Sequence, residues 1–551
     1  MIDDKTMTVS DYLLTRLKSL GVDHVFGIPG DFILPFFQKM DDSGISHVAA
    51  CNELNAGYAA DGYARLRGLA AVAATYGPGA FSFVNAAAGA LAERVPVVFI
   101  SGGPETESYK TQPILHHLLP NKYDASMKIF EQVTVHTKLL DDPAQATAAI
   151  DEALRICLTE KKPVYLEIPR DIQTTACEAP GPFILEPGLS DITALADAVR
   201  VVAERIRQGS RTVLLPGHEI HRSNLQEQVV DLVKKKGLPV GTMFIGKADF
   251  IEHMPECIGL YQGAGSLTEV KNFVEGADTV IFLGAVPSDF NLGGFTAKLT
   301  DQQVVKVLEN QVTVSGHCYD GVRITDFING LLESLPDNQD VEQNRPVQGF
   351  SHKPNAVYEA MPNAAMSNKR FYDRMVHFIK PGDILCADAG CAINASHLQL
   401  PEGVNYVASC YWASIGMGFG ATLGACFAAN EGQRVIALEG DGSFQMTAQE
   451  LSSMTRYAKA PIIFVVNNKG YTAERLIHDG PFNDIADWKY HKLSEAFGGQ
   501  GVDVHTEGDL EEALILADSY QGPGPLIIEV HVDPWDASEA FTLMSETLRG
   551  K

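Results

Sequence analysis

Short apolar runs recur along the whole chain, and they restrict its fold more than any other feature of the sequence. Each run is four to seven residues long, and together they occupy residues 70–76, 95–101, 163–168, 212–216, 279–283, 304–308, 383–387, 435–438, 462–466 and 526–532. Continuous apolar runs are typical of strands buried on both faces, as in parallel sheets covered by helices. Helical patterns separate the runs, for example over residues 10–20, which Gly21 closes. This alternation predicts an α/β fold of doubly wound parallel sheets.

The length of the chain predicts several domains. Its 551 residues exceed what one hydrophobic core usually holds. Two polar, proline-containing stretches, 177–190 and 334–369, show little periodicity, so we interpret them as linkers. They divide the chain into three predicted α/β domains at residues 1–180, 190–340 and 365–551.

Charge and cysteine content exclude several classes of protein. The net charge of −26 argues against a nucleic-acid binder, although one anionic substrate could still bind at a locally positive site. The nine cysteines are scattered without a CxxC pair, which argues against a disulfide framework or zinc site and favours a cytoplasmic protein. The first five residues lack the apolar run of a signal peptide. The apolar stretch 86–100 contains Glu93 and Arg94, so we do not expect it to span a membrane.

Two of the predicted strands lead into residues that suit a phosphate group and a metal ion. Run 435–438 leads into the sequence GDGS at 440–443, and run 462–466 leads into NNKG at 467–470. Glycines let a backbone approach a phosphate closely, and a helix N-terminus favours anions. Oxygens from Asp441 and Asn468 suit Mg²⁺. A lone GDG would more often be a tight turn, but the second strand end favours a diphosphate–Mg²⁺ site.

Two local patterns near this motif lead to further predictions. The glycine cluster at 416–420 does not fit GxGxxG, and no clear strand leads into it, so we expect close helix packing or cofactor packing there. A helix is expected after the GDGS segment, and Thr447 and Glu450 have the spacing of a capping box.

The GDG and NN segments resemble the thiamine-diphosphate motif of a large enzyme superfamily. Further segments, in order and over essentially the full length, are similar to the pyruvate, indolepyruvate and phenylpyruvate decarboxylase family. They are GIPGD at 27–31, CNELN at 51–55, YGPGA at 76–80, ILHH at 114–117 and GYTAERLIH at 470–478. The resemblance implies a pyrimidine-binding domain (1–180), a central domain (190–340) and a diphosphate- and Mg²⁺-binding domain (365–551). It also implies a homodimer or homotetramer, with the cofactor between the first domain of one subunit and the third of another.

The resemblance also implies which residues hold thiamine diphosphate and Mg²⁺. Asp441, Asn468 and the Gly470 carbonyl would bind the metal ion, and Gly442 and Ser443 would contact the diphosphate. Ile415 resembles the apolar residue that props the cofactor in its bent form. Ala413 and Ala389 would act through backbone or close contact, and relatives often carry Gly at the first of these positions and Thr at the second. The remaining residues implied in cofactor binding are Thr75, Tyr471 and Thr472.

The catalytic residues implied by the resemblance are one pyrimidine ligand and a proton-relay set. Glu53 resembles the Glu that hydrogen-bonds the pyrimidine ring, whereas Asp31, His116, His117 and Glu474 resemble the proton-transfer groups. Thiazolium accepts the electrons left behind when CO₂ departs, and the proton transfers need groups with tunable pKa values. Because this combination is specific to the decarboxylase branch, we expect a 2-oxo acid to be converted to an aldehyde and CO₂.

The predicted substrate pocket departs from that of pyruvate-specific relatives. Those relatives place a Trp shortly after the strand matching run 383–387, whereas this chain has Ile393 and no aromatic residue there. The residue before Glu474 is often Ile or Val in the family and is Ala473 here. These changes predict a larger pocket, suited to branched-chain or aromatic 2-oxo acids with broad specificity. The other predicted lining residues are Phe290, Ile477 and Phe541, with Leu543 as a further closing residue.

Three alternatives stay open at this point. The chain could be a pyruvate decarboxylase proper, with neighbouring side chains filling the pocket. It could be a carboligase such as acetolactate synthase, or a flavin-containing oxidase of the same superfamily. It could also be a non-catalytic protein on this fold, which would be expected to lack Glu53 or the metal ligands. Small molecules are the expected ligands, and no nucleic-acid or membrane partner is expected.

Overall fold

The computed structural model describes residues 7–186, 188–337 and 349–549. Several predicted features extend beyond these residues. The N-terminal segment 1–6, Pro187 in the first predicted linker, positions 338–348 in the second linker and at the end of the central domain, and the last two positions lie outside the described residues.

Three mostly parallel sheets with flanking helices form the fold, which confirms the predicted α/β class. The first sheet is wholly parallel, with strand order β2-β1-β3-β4-β6-β5. Its strands are β1 (His24–Gly27), β2 (Ser46–Ala49), β3 (Ala70–Thr75), β4 (Val97–Gly103), β5 (His136–Leu139) and β6 (Val164–Pro169).

The second sheet has the order β13-β12-β11-β10-β7-β8-β9 and ends in an antiparallel meander, because β12 pairs antiparallel with both neighbours. Its strands are β7 (Thr212–Pro216), β8 (Val240–Thr242), β9 (Cys257–Leu260), β10 (Thr279–Leu283), β11 (Val304–Leu308), β12 (Gln311–Val314) and β13 (His317–Asp320).

The third sheet is parallel, with the order β15-β14-β16-β17-β19-β18. Its strands are β14 (Ile384–Ala387), β15 (Asn405–Ala408), β16 (Val435–Gly440), β17 (Ile462–Asn467), β18 (Gln500–Val504) and β19 (Leu526–His531). The central strands β16 and β17 end side by side, and ligand sites of open parallel sheets lie beyond such carboxyl ends.

Each of the ten predicted runs overlaps a strand, and the strands that the sequence did not indicate are mainly short or at sheet edges. β17, for instance, is buried at every position, which is why its apolar run has no polar alternation. The edge strands β5 and β13 are only partly buried and carry polar residues. An edge strand needs little apolar surface, so it leaves a weak pattern in the sequence.

Helices connect the strands throughout the described residues. In the first third they are α1 (Val9–Ser19), α2 (Leu34–Ser43), α3 (Glu53–Arg67), α4 (Pro78–Ser82), α5 (Val84–Ala92), α6 (Thr106–Thr111), α7 (Ala125–Val133), α8 (Ala146–Glu160) and α9 (Arg170–Gln173). In the middle they are α10 (Ile192–Gln208), α11 (His218–Arg222), α12 (Gln226–Lys236), α13 (Thr268–Glu275) and α14 (Ile324–Ser334). In the last third they are α15 (Asn368–Phe378), α16 (Ala389–Ala395), α17 (Met417–Ala428), α18 (Asp441–Thr447), α19 (Glu450–Arg456), α20 (Thr472–Ile477), α21 (Tyr490–Ala496), α22 (Glu507–Ser519) and α23 (Glu539–Arg549). Short 3-10 turns lie at Gly263–Gly265 and Pro481–Asn483. Among the described residues no helix is both long and apolar enough to cross a membrane.

The chain forms two compact units that do not follow its linear order. The first unit contains the described part of Met1–Pro187 together with Met417–Asn430 and Thr447–Lys459, and therefore includes α17 and α19. The second unit contains the other described residues and holds the second and third sheets. The predicted three-domain division stays a prediction.

Helices α3 and α17 pack closely within the first unit through small residues. A Cβ added to Gly424 would lie 1.9 Å from the Ala59 carbonyl oxygen, and one added to Gly420 would lie 2.6 Å from Tyr58 Cβ. Only glycine permits that approach. The helix-packing interpretation of the 416–420 cluster is therefore confirmed.

The predicted capping box is wrong. Helix α19 has Gln449 at its N-cap, and no side-chain hydrogen bond caps it. The side chain of Glu450 is instead buried, and its Oε1 accepts hydrogen bonds from the Cys51 backbone N–H and the Asn55 amide, both at 2.8 Å. Thr447 and Glu450 have the spacing of a capping box, but residues distant in the sequence bind the Glu450 carboxylate.

A buried ion pair joins two segments of the second unit. Lys247 Nζ lies 2.7 Å from Glu252 Oε1, and both side chains are fully buried. The ammonium also donates to the Ser396 and Leu398 carbonyls, at 3.0 and 2.7 Å. Residues just after β8 are thereby fixed against the end of α16.

Candidate active site

Asp441 lies at the end of β16, where the strand turns into α18. The side chain is 1% exposed, and desolvation raises the pKa of Asp441 to about 6, against the lowering effect of backbone hydrogen bonds. Two of these bonds come from the N–H of Gly442, at 2.7 Å to Oδ1, and of Gly470, at 3.1 Å to Oδ2. A buried carboxylate with a raised pKa gains from a cation placed beside it.

Three oxygen atoms converge at this carboxylate. With its amide as placed, Asn468 Oδ1 lies 3.1 Å from Asp441 Oδ1 and 2.8 Å from the Gly470 carbonyl oxygen, with no donor between them. Adjacent ligands of an octahedral Mg²⁺ at its usual bond length of 2.0–2.1 Å are about 3 Å apart. The opposite amide orientation would let nitrogen donate to the same two oxygens. Because the observed spacing matches a magnesium coordination sphere, the residues fit the predicted metal ligands.

A second aspartate connects two segments that contain predicted cofactor residues. Asp388, 1% exposed, accepts from the Ala389 N–H at 2.8 Å and from the Gly416 N–H at 2.9 Å. Between these segments, Ala413 has a left-handed φ of +54°, a conformation that favours glycine. A glycine would adopt this conformation with less strain. Ile415 remains 36% exposed and lines the cavity described next, so an apolar prop is available to a ligand.

A cavity of about 470 Å³ in the second unit brings most of the predicted residues together. The predicted cofactor and metal residues on its wall are Ala389, Ala413, Ile415, Asp441, Gly442, Ser443, Asn468, Gly470, Tyr471 and Thr472. The predicted substrate residues on its wall are Phe290, Ile393, Ala473, Ile477 and Phe541, and Glu474 lines it too. Leu543 was expected to help close the pocket, but it is 36% exposed and does not line the cavity.

The sequence did not indicate several other lining residues. Phe244 packs against Phe290 with ring centroids 5.5 Å apart, although nearly fifty residues separate them. Tyr372 and Asn368 come from α15, whose register on the cavity was not predicted. Within the described residues, the buried Asn368 Oδ1 has no hydrogen-bond partner. The sequence could have indicated Asp388, which precedes the lining residue Ala389, because it follows an apolar run as Asp441 does.

The remaining predicted residues belong to the first unit. Glu53 is the first residue of α3, after the N-cap Asn52, and is half-buried. A Cβ on Gly79 would lie 3.4 Å from Glu53 Oε1 and 3.2 Å from Thr75 Cγ2, so the three positions are neighbours. Thr75 Oγ1 is buried and finds no hydrogen-bond partner among the described residues, which leaves it available to a ligand.

Asp31 and the two adjacent histidines form one exposed cluster. Asp31 Oδ2 lies 2.8 Å from His116 Nε2, and Oδ1 lies 3.8 Å from His117 Nε2. His117 has a left-handed φ of +65°. Tyr76 donates to the His116 carbonyl at 2.6 Å, and burial raises the pKa of Tyr76 to about 12, which keeps it a donor. The residues predicted as a proton relay are therefore in contact, apart from Glu474 in the second unit.

Comparisons with known proteins match nearly the whole chain. Thiamine pyrophosphate enzyme family models match three regions: the N-terminal TPP binding domain over residues 7–127, the central domain over 199–335 and the C-terminal TPP binding domain over 388–530. Pyruvate decarboxylase from Aspergillus fumigatus is 33% identical, with 98% of this chain and 97% of that protein covered. Pyruvate decarboxylase isozyme 2 from Saccharomyces cerevisiae is 33% identical (97% and 97%), and pyruvate decarboxylase 1 from Oryza sativa subsp. indica is 34% identical (97% and 90%).

The chain belongs to the thiamine-diphosphate-dependent 2-oxo acid decarboxylase family. This decarboxylase is a carboxy-lyase, and its cofactors are thiamine diphosphate and a divalent metal ion, typically Mg²⁺. The three oxygens that converge at Asp441 fit such a metal ion, and the exposed Ile415 offers an apolar surface on the same cavity wall.

Proposed function

We propose that this decarboxylase converts 2-oxo acids to an aldehyde and CO₂ with a preference for branched-chain or aromatic side chains. The observation that carries the preference is the small residue Ala473 on the wall of the 470 Å³ cavity, with aliphatic Ile393 also on that wall. Cavities of about 300–1,000 Å³ accommodate small organic ligands, and mostly apolar walls favour apolar side chains. Specificity is expected to be broad, because one methylene changes discrimination by only about 1–3 kcal/mol.

In this proposal the second unit holds the diphosphate end of the cofactor. Asp441, Asn468 and the Gly470 carbonyl hold Mg²⁺, and Gly442 and Ser443 contact the diphosphate. Ile415 props the cofactor, while Ala389, Ala413, Tyr471 and Thr472 line its site. Bound thiamine diphosphate supplies a thiazolium that accepts the electrons left by CO₂.

The catalytic side chains bind and transfer the protons of the reaction. Glu53 hydrogen-bonds the pyrimidine ring and holds a proton there, and Thr75 lies beside it. Asp31, His116 and His117 pass protons between their contacting side chains. Glu474, in the second unit, acts from the cavity wall near Ala473.

We also propose a homodimer or homotetramer with active sites at the subunit interface. Glu53, Asp31 and the histidines belong to the first unit, whereas Glu474 and the metal ligands belong to the second. Sedimentation equilibrium of the holoenzyme tests the subunit number. No disulfide joins the cysteines of the described residues, which fits a reducing, cytoplasmic location.

Pyruvate is the second candidate substrate, because the relatives compared above are named pyruvate decarboxylases. In this alternative, neighbouring side chains such as Phe290 and Phe541 fill the space beside Ala473.

One experiment separates the two candidates. kcat/KM is measured for pyruvate, 2-oxoisovalerate, phenylpyruvate and indolepyruvate in the wild type and in Ala473→Ile and Ile393→Trp. We expect the bulkier substrates to be preferred, and each filling variant to lower their kcat/KM about tenfold or more while sparing pyruvate. The control is Ile515→Trp, at an exposed position of the same unit.

A preference for pyruvate in the wild type, with equal losses on all substrates in both variants, would contradict the proposed pocket. Acetolactate as the main product, or flavin absorbance in the purified protein, would instead support the carboligase or oxidase alternative.

A further inference from the structure

Three histidines and two carboxylates gather near the carboxyl ends of β18 and β19, and none of them lines the active-site cavity. We call this group the histidine–carboxylate cluster: His491, Asp503, His505, Glu529 and His531. Asp503 and Glu529 are register partners on the neighbouring parallel strands. Their side chains therefore lie on the same face of the sheet, and two adjacent carboxylates require a nearby positive charge.

Histidine nitrogens surround the Asp503 carboxylate. Asp503 Oδ1 lies 2.7 Å from His531 Nε2, and Oδ2 lies 3.3 Å from His505 Nε2. The His505 and His531 rings are stacked nearly parallel, with centroids 4.1 Å apart. Zn²⁺ binds imidazole nitrogen and carboxylate oxygen at about 2.0–2.2 Å, so tetrahedral ligand atoms are about 3.3–3.5 Å apart. A metal ion binds in the plane of an imidazole ring, and these two rings lie in separate parallel planes, so His505 must turn out of the stack for both nitrogens to bind one ion.

Glu529 and His491, the less exposed members of the cluster, support Asp503, His505 and His531. Glu529 Oε2 lies 2.6 Å from His491 Nδ1, and Glu529 Oε1 lies 3.5 Å from His531 Nε2. The Asn467 amide also donates to Glu529 Oε1 at 2.7 Å. Glu529 is 1% exposed at its side chain and thus well fixed, as are the carboxylates that orient metal-binding histidines.

Asp503 and His505 are open to solvent. The side chains of Asp503 and His505 are 41% and 59% exposed, so a metal ion can reach them and His505 can rotate. Two imidazoles and one carboxylate, with Glu529 near a fourth position, form the donor set of an open transition-metal site. This donor set differs from the all-oxygen set at Asp441, because imidazole favours Zn²⁺ and oxygen ligands favour Mg²⁺.

We propose that Asp503, His505 and His531 form a Zn²⁺ site, with Glu529 and His491 supporting it, separate from the cofactor metal. Zn²⁺ takes the place of the imidazole protons that otherwise face the carboxylates, and it neutralises the paired charges of Asp503 and Glu529. The site is independent of the substrate preference proposed above.

The test uses the holoenzyme saturated with thiamine diphosphate and Mg²⁺. Equilibrium dialysis against ZnCl₂ counts bound zinc per chain in the wild type, in His505→Ala/His531→Ala and in the control His253→Ala/His317→Ala. The control histidines are exposed and lie outside the cluster. Asp31, His116 and His117 could also take a metal ion, so the difference between the proteins is the readout.

We expect the cluster variant to bind one zinc ion fewer per chain, or to bind it at least about 100-fold more weakly. Losing two ligands should cost more than the loss of about 10–100-fold seen when a residue that only hydrogen-bonds to a ligand is removed. The control is expected to match the wild type. Equal zinc numbers and affinities in all three proteins would overturn the proposal.

A second measurement does not depend on any variant. Crystals of the wild-type holoenzyme are grown with ZnCl₂, and anomalous differences are collected at the zinc edge. A peak within bonding distance of Asp503, His505 and His531 is the expected result, and its absence overturns the proposed site.

Discussion

Lys247 and Glu252 form a fully buried ion pair, with Nζ and Oε1 2.7 Å apart, beneath the end of α16. The Lys247 ammonium also satisfies the carbonyls of Ser396 and Leu398. Helix α16 carries Ile393, a residue of the cavity wall. The pair therefore connects the stability of the second unit to the shape of the cavity.

Removing only the cation is expected to be more harmful than removing both charges. Lys247→Met leaves Glu252 buried without its counter-ion, and we expect about 3–5 kcal/mol of destabilisation. In Lys247→Met/Glu252→Gln the loss is expected to be smaller than the sum of the two single losses. Thermal midpoints of the four proteins of this cycle measure the coupling. Additive losses would show that the two charges act independently.

Metal binding to the apo protein is expected to weaken at acid pH. Burial raises the pKa of Asp441 to about 6, from an ordinary value near 3.8. Because the pKa is raised, ionised Asp441 destabilises the apo fold above pH 6. This destabilisation disappears as the pH falls and the carboxylate is protonated. A bound cation offsets it at higher pH. Below pH 6 a metal ion must displace a proton, so its apparent Kd should rise about tenfold per pH unit.

Titration with Mn²⁺ alone, monitored by electron paramagnetic resonance between pH 5 and 8, measures this dependence without the titrating phosphate of the cofactor. A constant Kd over that range would contradict the assignment of Asp441 as the controlling ligand.

Glycine at position 413 is expected to stabilise the protein. Ala413 has a φ of +54°, and left-handed backbone costs a residue with a Cβ about 1–2 kcal/mol, partly offset by the greater unfolded-state entropy of glycine. We therefore expect Ala413→Gly to raise the thermal midpoint slightly and to retain activity. Ala458→Gly is the matched control, because Ala458 has a φ of +50° and does not line the cavity. Destabilisation by the first change alone would indicate that the Ala413 methyl group has a packing role.

Glu53→Gln is expected to reduce turnover at least about 100-fold, since positioned acid–base groups typically contribute 10²–10⁴-fold. The carboxylate also lies at the start of α3, where removing a negative charge costs about 0.3–1 kcal/mol. Glu269→Gln controls for that loss, because Glu269 lies in the first turn of α13 and is exposed. Undiminished turnover in Glu53→Gln would refute its proposed role, whereas equal losses in both variants would point to stability.

Strands and the cavity wall could be predicted from the sequence because their signals are local. A run such as 462–466 is apolar at every position because β17 is buried on both faces. Asp441 and Asn468 follow runs that end side by side in one sheet, so their convergence follows from the topology.

Contacts between distant residues could not be predicted in the same way. Glu450 has the spacing of a helix cap, but its carboxylate accepts hydrogen bonds from residues about 400 positions earlier. The packing of Phe244 on Phe290 depends on how the loops of the second unit fold. No periodicity in a single sequence reports such pairings.

The close packing of α17 on α3 has a consequence for anyone who recombines relatives of this enzyme. A chimera with its junction near residue 365 would take α3 from one parent and α17 from the other, and Gly424 would then have to match a foreign Ala59 at contact distance. Exchanges that keep both helices from the same parent should yield well-folded hybrids more often. The natural piece for shuffling is therefore a discontinuous one, in which α3 and α17 move together.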